Sequence, residues 1–465
     1  MSSSPLVTIY VPCRNYGCFL TQCVESILSQ LYTNWELIIV DEASTDDTST
    51  IAEEFSRKEL NRITFVKNHK PLGLQKLSNY ILGRANGKYM VRLDADDWLD
   101  ETALLSMVTK LENNPDIGMV YGNYFYVDID GKILDMEYRH KLGVEDMAGH
   151  LAPHGACTMF STRALKNVGG YSESVSAQDG WDLWYKLFNR IGAASLNIPI
   201  FYYRQHGESM SRDSKRLLDA RSGIFKRISK GLEGDYGITC IAIIPVRESY
   251  PNFENVPYRE FDGHSLLEKA ILVAARSDKV NDVVVSSESQ NVLDYSKRLE
   301  DEGKVPKHLR LKRSTNTKMS RDIPIQSFML EAGDYYENIK GFTPDVITFL
   351  NLHAVCRQTK HIDTVLNVLR ITESDSVVSV QEEREPIFSH GESGLNLLNP
   401  GRFQDLTFDR ERLYHFNGSI ISTWWQVLKT HGVFGEKIGY VEMSPDESIQ
   451  VKTSDALDFL NLKNK

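Results

Sequence analysis

The sequence lacks several features that would place it in other classes of protein. Its 465 residues contain 53 Lys and Arg against 63 Asp and Glu, so the formal net charge is -10. This balance excludes the global basic excess that nucleic-acid-binding proteins carry. The longest apolar run, residues 241–246, is far shorter than a membrane span, and residues 1–5 lack the charged and apolar regions of a signal peptide. We therefore expect no nucleic-acid partner, no transmembrane segment and a cytoplasmic location.

Cysteine is also scarce, with six residues in the whole chain. Cys13, Cys18 and Cys23 recur every five residues, but this spacing matches no zinc site and no histidines stand at the usual offsets. Sparse cysteines without a paired framework are typical of free thiols in a reducing compartment.

The length and the hydrophobic pattern predict an α/β fold with more than one domain. A chain of this size exceeds one ordinary domain. From Val7 onward, short apolar runs alternate with helical patterns, as expected for a mostly parallel sheet covered by helices. The pattern predicts helices at about 48–58, 74–84 and 101–112 and a hairpin that turns at Asp130 and Gly131. It restarts at Thr239, so the second half is predicted to form another α/β domain.

A basic amphipathic segment separates the two halves. We predict a first domain over residues 1–213, a basic helical linker over 214–237 and a second domain over 238–465. Such a helix either packs between two domains or lies on an anionic membrane surface. We favour packing because the apolar stripe is short. The alternative would place the protein at the inner face of the membrane.

Two strand ends in the first half carry acidic residues. Asp94 and Asp96, extended by Asp97, follow the apolar run 89–91, and Asp41 follows the run 36–40. Carboxylates at a strand end can reach a hard divalent cation directly or through its waters. Because an isolated Asp-x-Asp sequence is most often a solvated loop, the interpretation depends on its context.

That context is a resemblance over residues 5 to about 212 to the family two glycosyltransferases, which have the GT-A fold. The matching sequences are VPCRNY at 11–16, VDEASTDDT at 40–48, LDADD at 93–97, GGY at 169–171 and QDGWDLW at 178–184. Several independent motifs in the same order make the match specific. It differs at Glu42 and Ala43, where the family more often has aspartate and glycine.

The resemblance implies a nucleotide-sugar donor and a divalent metal, Mn²⁺ or Mg²⁺. By this resemblance Asp41 accepts a hydrogen bond from the base and Asp96 binds the metal, with Asp94 near the ribose or the metal. Three further residues lie on or close to the nucleotide: Pro12, Asn15 and Asn79.

The resemblance also places a catalytic base at Asp179. An acceptor hydroxyl must lose its proton as it attacks the anomeric carbon, and a carboxylate can take that proton. The product then has inverted configuration. The segment 203–211 is similar to the family's closing loop, where His206 joins the metal or the diphosphate. The acceptor is expected to be a glycan or a lipid-linked molecule.

Residues 238 to about 463 resemble, more loosely, the cytidylyltransferases that activate acidic sugars, with a nucleotidyltransferase-like Rossmann-type fold. The similar sequences are IIPVR at 243–247, VVVSSES at 283–289, SDSVVSV at 374–380 and FNGSI at 416–420. The phosphate loop is replaced by the acidic, proline-containing 248–254, and the metal-binding acids by 448–453. Four residues are predicted to line a remaining pocket: Arg247, Asn255, Arg357 and Asn417.

Two interpretations of the second half stay open at this point. It is either an altered cytidylyltransferase or, as we favour, a degenerate module that binds a ligand, a partner or the acceptor, since losing both features removes the main electrostatic terms of catalysis. This domain also offers a route to oligomerisation. The leading function is an inverting, metal-dependent glycosyltransferase, and its rivals are a bifunctional enzyme that also makes a CMP-sugar from CTP and a non-catalytic scaffold of a glycan-assembly pathway.

Overall fold

A computed structural model gives the fold of the protein. It describes residues 4–138, 154–174, 177–206, 214–232, 237–313, 324–383, 385–391, 394–399 and 413–463. The chain divides into two compact units. Unit 1 comprises residues 1–224 with 384–411, and unit 2 comprises 225–383 with 412–465. The boundary falls inside the segment predicted as a linker, and the sequence pattern did not indicate that residues 384–411 belong to unit 1.

The described strands of unit 1 in the first half of the chain form a nine-stranded mixed sheet with the order β3-β2-β1-β4-β8-β6-β9-β5, to which β7 adds beside β6. The strands are β1 Val7–Cys13, β2 Trp35–Glu42, β3 Ile63–Asn68, β4 Tyr89–Arg92, β5 Trp98–Leu99, β6 Met119–Val127, β7 Ile133–Glu137, β8 Met159–Ser161 and β9 Ala193–Arg204. Strands β1 to β4 are mutually parallel where they pair.

Helices cover this sheet because their apolar residues recur on one face. The helices are α1 Gly17–Leu28, α2 Thr48–Lys58, α3 Leu74–Leu82, α4 Ala103–Glu112, α5 Thr162–Asn167 and α6 Asp179–Ile191, followed by α7 Ser214–Leu232. In α1 the buried residues Leu20, Cys23, Val24 and Ile27 have the spacing of one helical face.

The central strands position the candidate site. Strand β1 is buried along nearly its whole length, as expected for a parallel strand covered on both faces. Its register with β2 places Pro12 beside Val40 and Cys13 beside Asp41. Because β1, β2 and β4 are parallel, the loops that follow them lie at the same edge of the sheet, where ligands of open α/β sheets bind.

Several predicted elements of unit 1 are confirmed. Helix α2 has the predicted bounds, whereas α3 ends two residues early and α4 begins at Ala103. Strands β6 and β7 form the predicted hairpin, whose turn is held by the Asp128 carboxylate accepting from the backbone N–H groups of Asp130 and Lys132.

Helix α7 contains the basic residues predicted for the linker. Its Ile224, Phe225 and Ser229 are buried. The predicted linker residues 233–236 lie outside the described part of the chain. Among the described helices, none is long and apolar enough to cross a bilayer.

Ala43 adopts a left-handed backbone, with φ of 61°. A residue with a Cβ is strained by about 1–2 kcal/mol in this region, whereas glycine is not. We expect Ala43→Gly to raise the free energy of unfolding by roughly 0.5–1 kcal/mol, since the relief exceeds the added entropy of the unfolded chain. Urea unfolding followed by tryptophan fluorescence measures the change. The matched control Ala52→Gly, in the middle of α2, should lower the stability by about 1 kcal/mol. A loss of stability in both variants would contradict the strain at Ala43.

The second half of the chain has its own described strands and helices. The strands are β10 Cys240–Val246, β11 Glu260–Phe261, β12 His264–Ser265, β13 Asp282–Ser287, β14 Leu309–Lys312, β15 Val346–Leu350, β16 Ser376–Glu383, β17 Ile387–Gly391, β18 Gly394–Asn399, β19 Leu413–Trp424 and β20 Ile438–Glu442. The helices are α8 Leu266–Ala275, α9 Gln290–Asp301, α10 Ile325–Tyr335, α11 Thr359–Thr372, α12 Trp425–Thr430 and α13 Ser454–Lys463.

Unit 2 is a second α/β structure, as predicted. Its described residues form a seven-stranded sheet with the order β14-β13-β10-β15-β19-β16-β20. Strands β14, β13, β10 and β15 are parallel where they pair, and β19 is antiparallel to both of its neighbours. Strands β17 and β18 pair only with each other among the described strands and belong to unit 1.

Candidate nucleotide-sugar site

The acidic segment after β4 lies where the sequence predicted it, at the end of a buried strand. Asp94 is partly exposed, and its Oδ1 lies 2.9 Å from Nε of the buried Arg92. Asp96 is only 9% exposed. The two carboxylates look alike in the sequence but have different surroundings in the structure. Asp94 lies beside the guanidinium of Arg92, whereas Asp96 faces a segment from another part of the chain.

That other element is the chain just after β9. His206 Nε2 lies 2.9 Å from Asp96 Oδ2, although 110 residues separate the two in sequence. The imidazole also contacts the rings of Tyr16 and Phe19, each with centroids 5.5 Å away. Burial and the nearby charge of Asp94 raise the pKa of Asp96, and the contact with His206 opposes that shift. Two of the three residues predicted at or near the metal, Asp96 and His206, are therefore together. Residues 207–211 of the predicted closing loop lie outside the described part of the chain.

Asp97 and Arg204 connect the same two segments. Asp97 is buried and its Oδ1 accepts a hydrogen bond from the Arg204 backbone N–H at 2.9 Å. Burial, with the charges of Asp96 and Asp94, raises the pKa of Asp97 well above its usual range. The sequence interpretation did not assign a role to Arg204. Its position at the end of β9, two residues before His206, is the signal that indicates one.

Asp41 is buried at the end of β2, and both of its carboxylate oxygens have internal donors. Oδ1 accepts from the Ser44 backbone N–H at 2.8 Å, and Oδ2 accepts from the Ser49 hydroxyl. In this arrangement Asp41 shapes the turn into α2. Its predicted hydrogen bond to the base stays a prediction.

Asn15 joins the loops that follow β1 and β2. Its backbone N–H donates to Ser44 Oγ at 2.9 Å, and its Oδ1 accepts from the Thr45 N–H at 2.8 Å. Asn15 is exposed and has φ of 58°, a left-handed conformation that asparagine tolerates. Pro12 is partly buried beside β2, so these residues lie at the edge of the sheet where the nucleotide site is predicted.

Glu42, which departs from the family pattern, has a defined structural role. Its Oε2 accepts from the backbone N–H groups of Leu72 and Gly73 at 2.7 and 3.0 Å, and its Oε1 accepts from Asn68 at 2.5 Å. The longer glutamate side chain therefore fastens the loop between β3 and α3. Sequence reasoning recorded the substitution but not this consequence.

Asn79 pairs with the backbone of Tyr171. Its Oδ1 accepts from the Tyr171 N–H at 2.8 Å, and its Nδ2 donates to the Tyr171 carbonyl at 2.9 Å. A Cβ at Gly170 would lie 2.5 Å from Asn79 Oδ1, so glycine is required for this close approach. Asn79 thus anchors the GGY motif to α3, and its predicted proximity to the nucleotide stays a prediction.

Asp179 is the first residue of α6, and the position of its side chain lies outside the described part of the structure. The preceding Gln178 has φ of 62°, and its side chain accepts from Arg221 Nε at 3.3 Å. Arg221 also lies over the Trp181 ring, 4.5 Å from its centroid. Helices α6 and α7 are thus tied together next to the predicted base. Trp181 is buried in this contact.

The four residues predicted to line a pocket in unit 2 have different surroundings. Arg247 is partly buried, and Asn255 has a left-handed backbone at φ 56°. Arg357 is buried and donates to the carbonyls of Asn351 and Ser419 at 2.8 and 3.1 Å. Burial lowers the pKa of Arg357 to about 10. Asn417 is buried too, and its amide joins Ser379 and Ser448 at 2.7 and 3.0 Å. The structure therefore gives Arg357 and Asn417 internal partners around the end of β15.

Aromatic residues occupy the edge of the unit 2 sheet between β10 and β15. Tyr250 and Phe253 contact His353, with ring centroids 4.6 and 6.0 Å away. His353 Nδ1 lies 2.6 Å from the Val451 carbonyl, and its own carbonyl accepts from the Val451 N–H at 2.9 Å. Nearby, Gln450 Nε2 donates to the Asn417 carbonyl at 2.5 Å. Gln450 and Val451 are thus bonded to the body of unit 2.

Glu447 provides a pH-dependent contribution to the stability of unit 2. Its carboxylate lies 3.4 Å from His361 Nε2 and 2.7 Å from Lys360 Nζ. The hydrogen bond from His361 lowers the pKa of Glu447, and burial lowers the pKa of His361, so a neutral imidazole donates from Nε2. This assignment agrees with Nδ1 of His361 accepting from the Gln358 N–H.

Because the folded pKa of Glu447 is depressed, its stabilisation is present above the unfolded pKa of about 4.3 and is lost as the pH falls toward the folded pKa. We expect Glu447→Gln to lower the free energy of unfolding by roughly 2 kcal/mol at pH 7. The difference from the wild type should shrink steadily below about pH 4. Urea unfolding at a series of pH values measures this. A difference that does not change with pH would show that the charge of Glu447 contributes nothing.

The side chains at the first site supply some of the ligands that a hard divalent cation needs. The contact of Asp96 with His206 brings together one carboxylate, which suits Mn²⁺ and Mg²⁺, and one imidazole, a ligand that is more usual for the later transition metals. Among the described residues, no group of three or more His, Cys, Asp or Glu side chains is arranged to hold a metal. Oxygen atoms from a bound diphosphate would complete the coordination sphere, as is usual for Mg²⁺.

Comparison with known proteins supports the identity of the first half. Residues 8–169 match the family described as "Glycosyl transferase family 2". The chain is 38% identical over 219 residues to "Putative glycosyltransferase EpsE" of Bacillus subtilis, which covers 46% of the chain and 78% of that protein. It is 30% identical over 235 residues to a chondroitin synthase of Escherichia coli, which covers 49% of the chain and 33% of the synthase. It therefore spans only a third of the length of that relative.

The chain is also similar to a relative that it covers over nearly its full length and to a protein of solved structure. The chain is 28% identical over 238 residues to the E. coli protein "UDP-Glc:alpha-D-GlcNAc-diphosphoundecaprenol beta-1,3-glucosyltransferase WfaP", which covers 51% of the chain and 91% of that protein. A mannosyltransferase of Pyrobaculum calidifontis solved with GDP-Man and Mn²⁺ aligns with a TM-score of 0.41 and 21% identity, over 49% of the chain and 65% of that structure. On the sequence relatives and the family match, the chain belongs through its first half to glycosyl transferase family 2.

Proposed function

We propose that the protein is a metal-dependent, inverting glycosyltransferase that moves a sugar from a nucleoside-diphosphate sugar to a glycan or lipid-linked acceptor. The observation that carries the proposal is the 2.9 Å contact between His206 Nε2 and Asp96 Oδ2. It brings a second metal-binding side chain to the Asp94–Asp96 strand end from a distant part of the chain. Such an arrangement is suited to a leaving group that carries a diphosphate.

Asp96 and His206, with Asp94 near the ribose or the metal, would hold Mn²⁺ or Mg²⁺. When bound, this cation neutralises the charge that develops on the leaving diphosphate. The protein side chains orient the donor: Asn15 and Pro12 line the edge of the sheet beside the base. Asp41 maintains the turn into α2, whose Thr45 donates to Asn15.

Asp179 acts as the base in this proposal. Its carboxylate takes the proton of the acceptor hydroxyl while the hydroxyl oxygen bonds to the anomeric carbon and the bond to the diphosphate breaks. Attack from the face opposite the diphosphate inverts the configuration. The left-handed Gln178 and its contact with Arg221 support this assignment, because strained backbone next to a helix start is common at functional sites.

The relatives support the class of substrate. The name of WfaP specifies a UDP-glucose donor and an acceptor linked to undecaprenol through diphosphate, and another relative is a chondroitin synthase. We therefore propose a UDP-sugar as the first donor to test and a polysaccharide precursor as the acceptor. A lipid-linked precursor would bring the protein to the inner face of the membrane.

For unit 2 we infer a degenerate, cytidylyltransferase-like module with a nucleotidyltransferase-like Rossmann-type fold. The contacts of Tyr250 and Phe253 with His353, and of Gln450 with Asn417, support this interpretation. These side chains of the protein itself occupy the edge of the sheet at which an open α/β domain binds its ligand. The alternative, synthesis of a CMP-sugar, requires this edge to open.

Donor hydrolysis by the full chain with and without Mn²⁺ tests the proposed function. We expect release of the nucleoside diphosphate from one UDP-, GDP- or dTDP-sugar, with loss of the activity when the metal is removed by EDTA. Absence of hydrolysis for every donor, with a folded protein, would favour the scaffold. Pyrophosphate release from CTP by the full chain would instead show that unit 2 is active.

A further inference from the structure

Arg204, the last residue of β9, is buried between two aromatic rings. Only 3% of the surface of Arg204 is exposed. The guanidinium carbon lies 4.8 Å from the centroid of Phe19 and 4.7 Å from that of Trp98. Phe19 belongs to α1, and Trp98 follows the acidic segment, so the guanidinium fills the space between these two elements.

The hydrogen bonds of Arg204 reach three separate segments of the chain. Its Nε donates to the main-chain carbonyl of Asp96 at 2.9 Å. One terminal nitrogen donates to Gln22 Oε1 on α1 at 2.6 Å, and the other donates to the Ile129 carbonyl in the β6–β7 turn. The backbone N–H of Arg204 donates to Asp97, as described above.

Arg204 and His206 hold Asp96 from two directions. His206 follows Arg204 by two residues, just beyond the end of β9. The chain is still bonded to β6 between them, because the Gln205 N–H donates to the Val127 carbonyl at 2.7 Å. Arg204 thus holds the main chain of Asp96 while His206 contacts its carboxylate.

We propose that Arg204 is a positioning residue that sets the distance between His206 and Asp96 before the donor and its metal bind. This inference rests on the proposed function of the site, and in it Arg204 acts through Asp96 and His206 and does not itself bind the donor or the metal. Fixing both ligands in advance removes the cost of ordering them on binding.

The shape of arginine explains why a lysine would not serve. A planar guanidinium donates in several fixed directions and stacks on aromatic faces, whereas an ammonium is a single point charge. Lysine at this position would keep the charge but would lose the simultaneous contacts with Asp96, Gln22 and Ile129. The conservative variant therefore tests geometry and not charge.

The experiment measures Mn²⁺ binding by electron paramagnetic resonance with UDP or GDP present, in the full chain. We expect Arg204→Lys to weaken Mn²⁺ affinity about 10- to 100-fold, as is usual when a residue that orients a metal ligand is changed. The matched control is Arg62→Lys, because Arg62 also stacks on a ring, 3.5 Å from the centroid of Trp35, and donates to a carbonyl, that of Thr33. The control should keep the wild-type affinity, and both melting temperatures are recorded.

Each outcome supports or overturns the inference. Wild-type Mn²⁺ affinity in a folded Arg204→Lys protein overturns it and leaves the proposed function intact. If Arg204→Lys does not fold, Gln22→Ala, which removes one partner at an exposed position of α1, replaces it. Unchanged affinity in that variant also overturns the inference, and a several-fold loss supports it. If the wild type binds no Mn²⁺ with either nucleotide, the proposed function fails and this inference fails with it.

Discussion

Asp96→Ala is expected to abolish glycosyl transfer, with a loss of about 10³-fold or more in kcat/KM, equal to roughly 4 kcal/mol of transition-state stabilisation. The substitution removes the carboxylate that contacts His206 and would bind the metal. Without it, the charge on the leaving diphosphate lacks its main compensation. Single-turnover transfer from the donor found by the hydrolysis screen measures the effect.

Two companion variants separate this loss from unfolding. Asp96→Asn keeps the size of the side chain, and we expect a similar loss because a neutral amide is a poor metal ligand. Asp116→Ala removes an exposed aspartate between α4 and β6 and should leave transfer unchanged. Transfer at the wild-type rate in a folded Asp96→Ala protein would exclude a role for this carboxylate in catalysis.

Asp179→Asn is expected to stop turnover while the donor still binds. An asparagine cannot take the acceptor proton, so kcat should fall about 10²- to 10⁴-fold. The dissociation constant of the donor should stay within about twofold of the wild type, since the change removes an interaction with the acceptor only. Donor binding is measured by thermal shift with Mn²⁺ present, and turnover is measured with the acceptor.

Asp182→Asn is the matched control on the same helix. Asp182 is buried, and its Oδ2 lies 2.9 Å from Lys186 Nζ and accepts from the Ser172 N–H at 3.3 Å. We expect this variant to lower the melting temperature and to retain kcat in the folded fraction. Turnover near the wild-type rate in Asp179→Asn would remove Asp179 from the role of base.

Periodic patterns predicted the secondary structure of the first half well. The bounds of α2 and the β6–β7 hairpin follow from local signals, namely helical spacing of apolar residues and an Asp-Gly turn. The acidic strand ends were also predictable, because carboxylates that directly follow an apolar run must lie at the edge of a sheet. The assignment of residues 384–411 to unit 1 was not predictable in this way, because it depends on contacts with residues that are far away in the sequence.

The role of individual polar residues was harder to predict. The pairing of the Asn79 amide with the backbone of Tyr171, 92 positions away, was not predicted, and the proximity of Asn79 to the nucleotide stays a prediction. The substitution at Glu42 was visible, but its bonds to Leu72 and Gly73 depend on the path of a loop 30 residues away. Side-chain partners at such separations leave no periodic signal.

The sequence by itself determined that both halves are α/β, that the first half belongs with the family two glycosyltransferases, and that Asp94 and Asp96 end a buried strand. Only the tertiary structure decided which of these two carboxylates meets His206 and that Arg204 holds the main chain beneath it. Local patterns report whether a residue lies on a buried face, because burial follows the period of a helix or strand. The direction in which a charged side chain is held depends on donors and rings brought from distant segments, and those meet only when the sheet is complete.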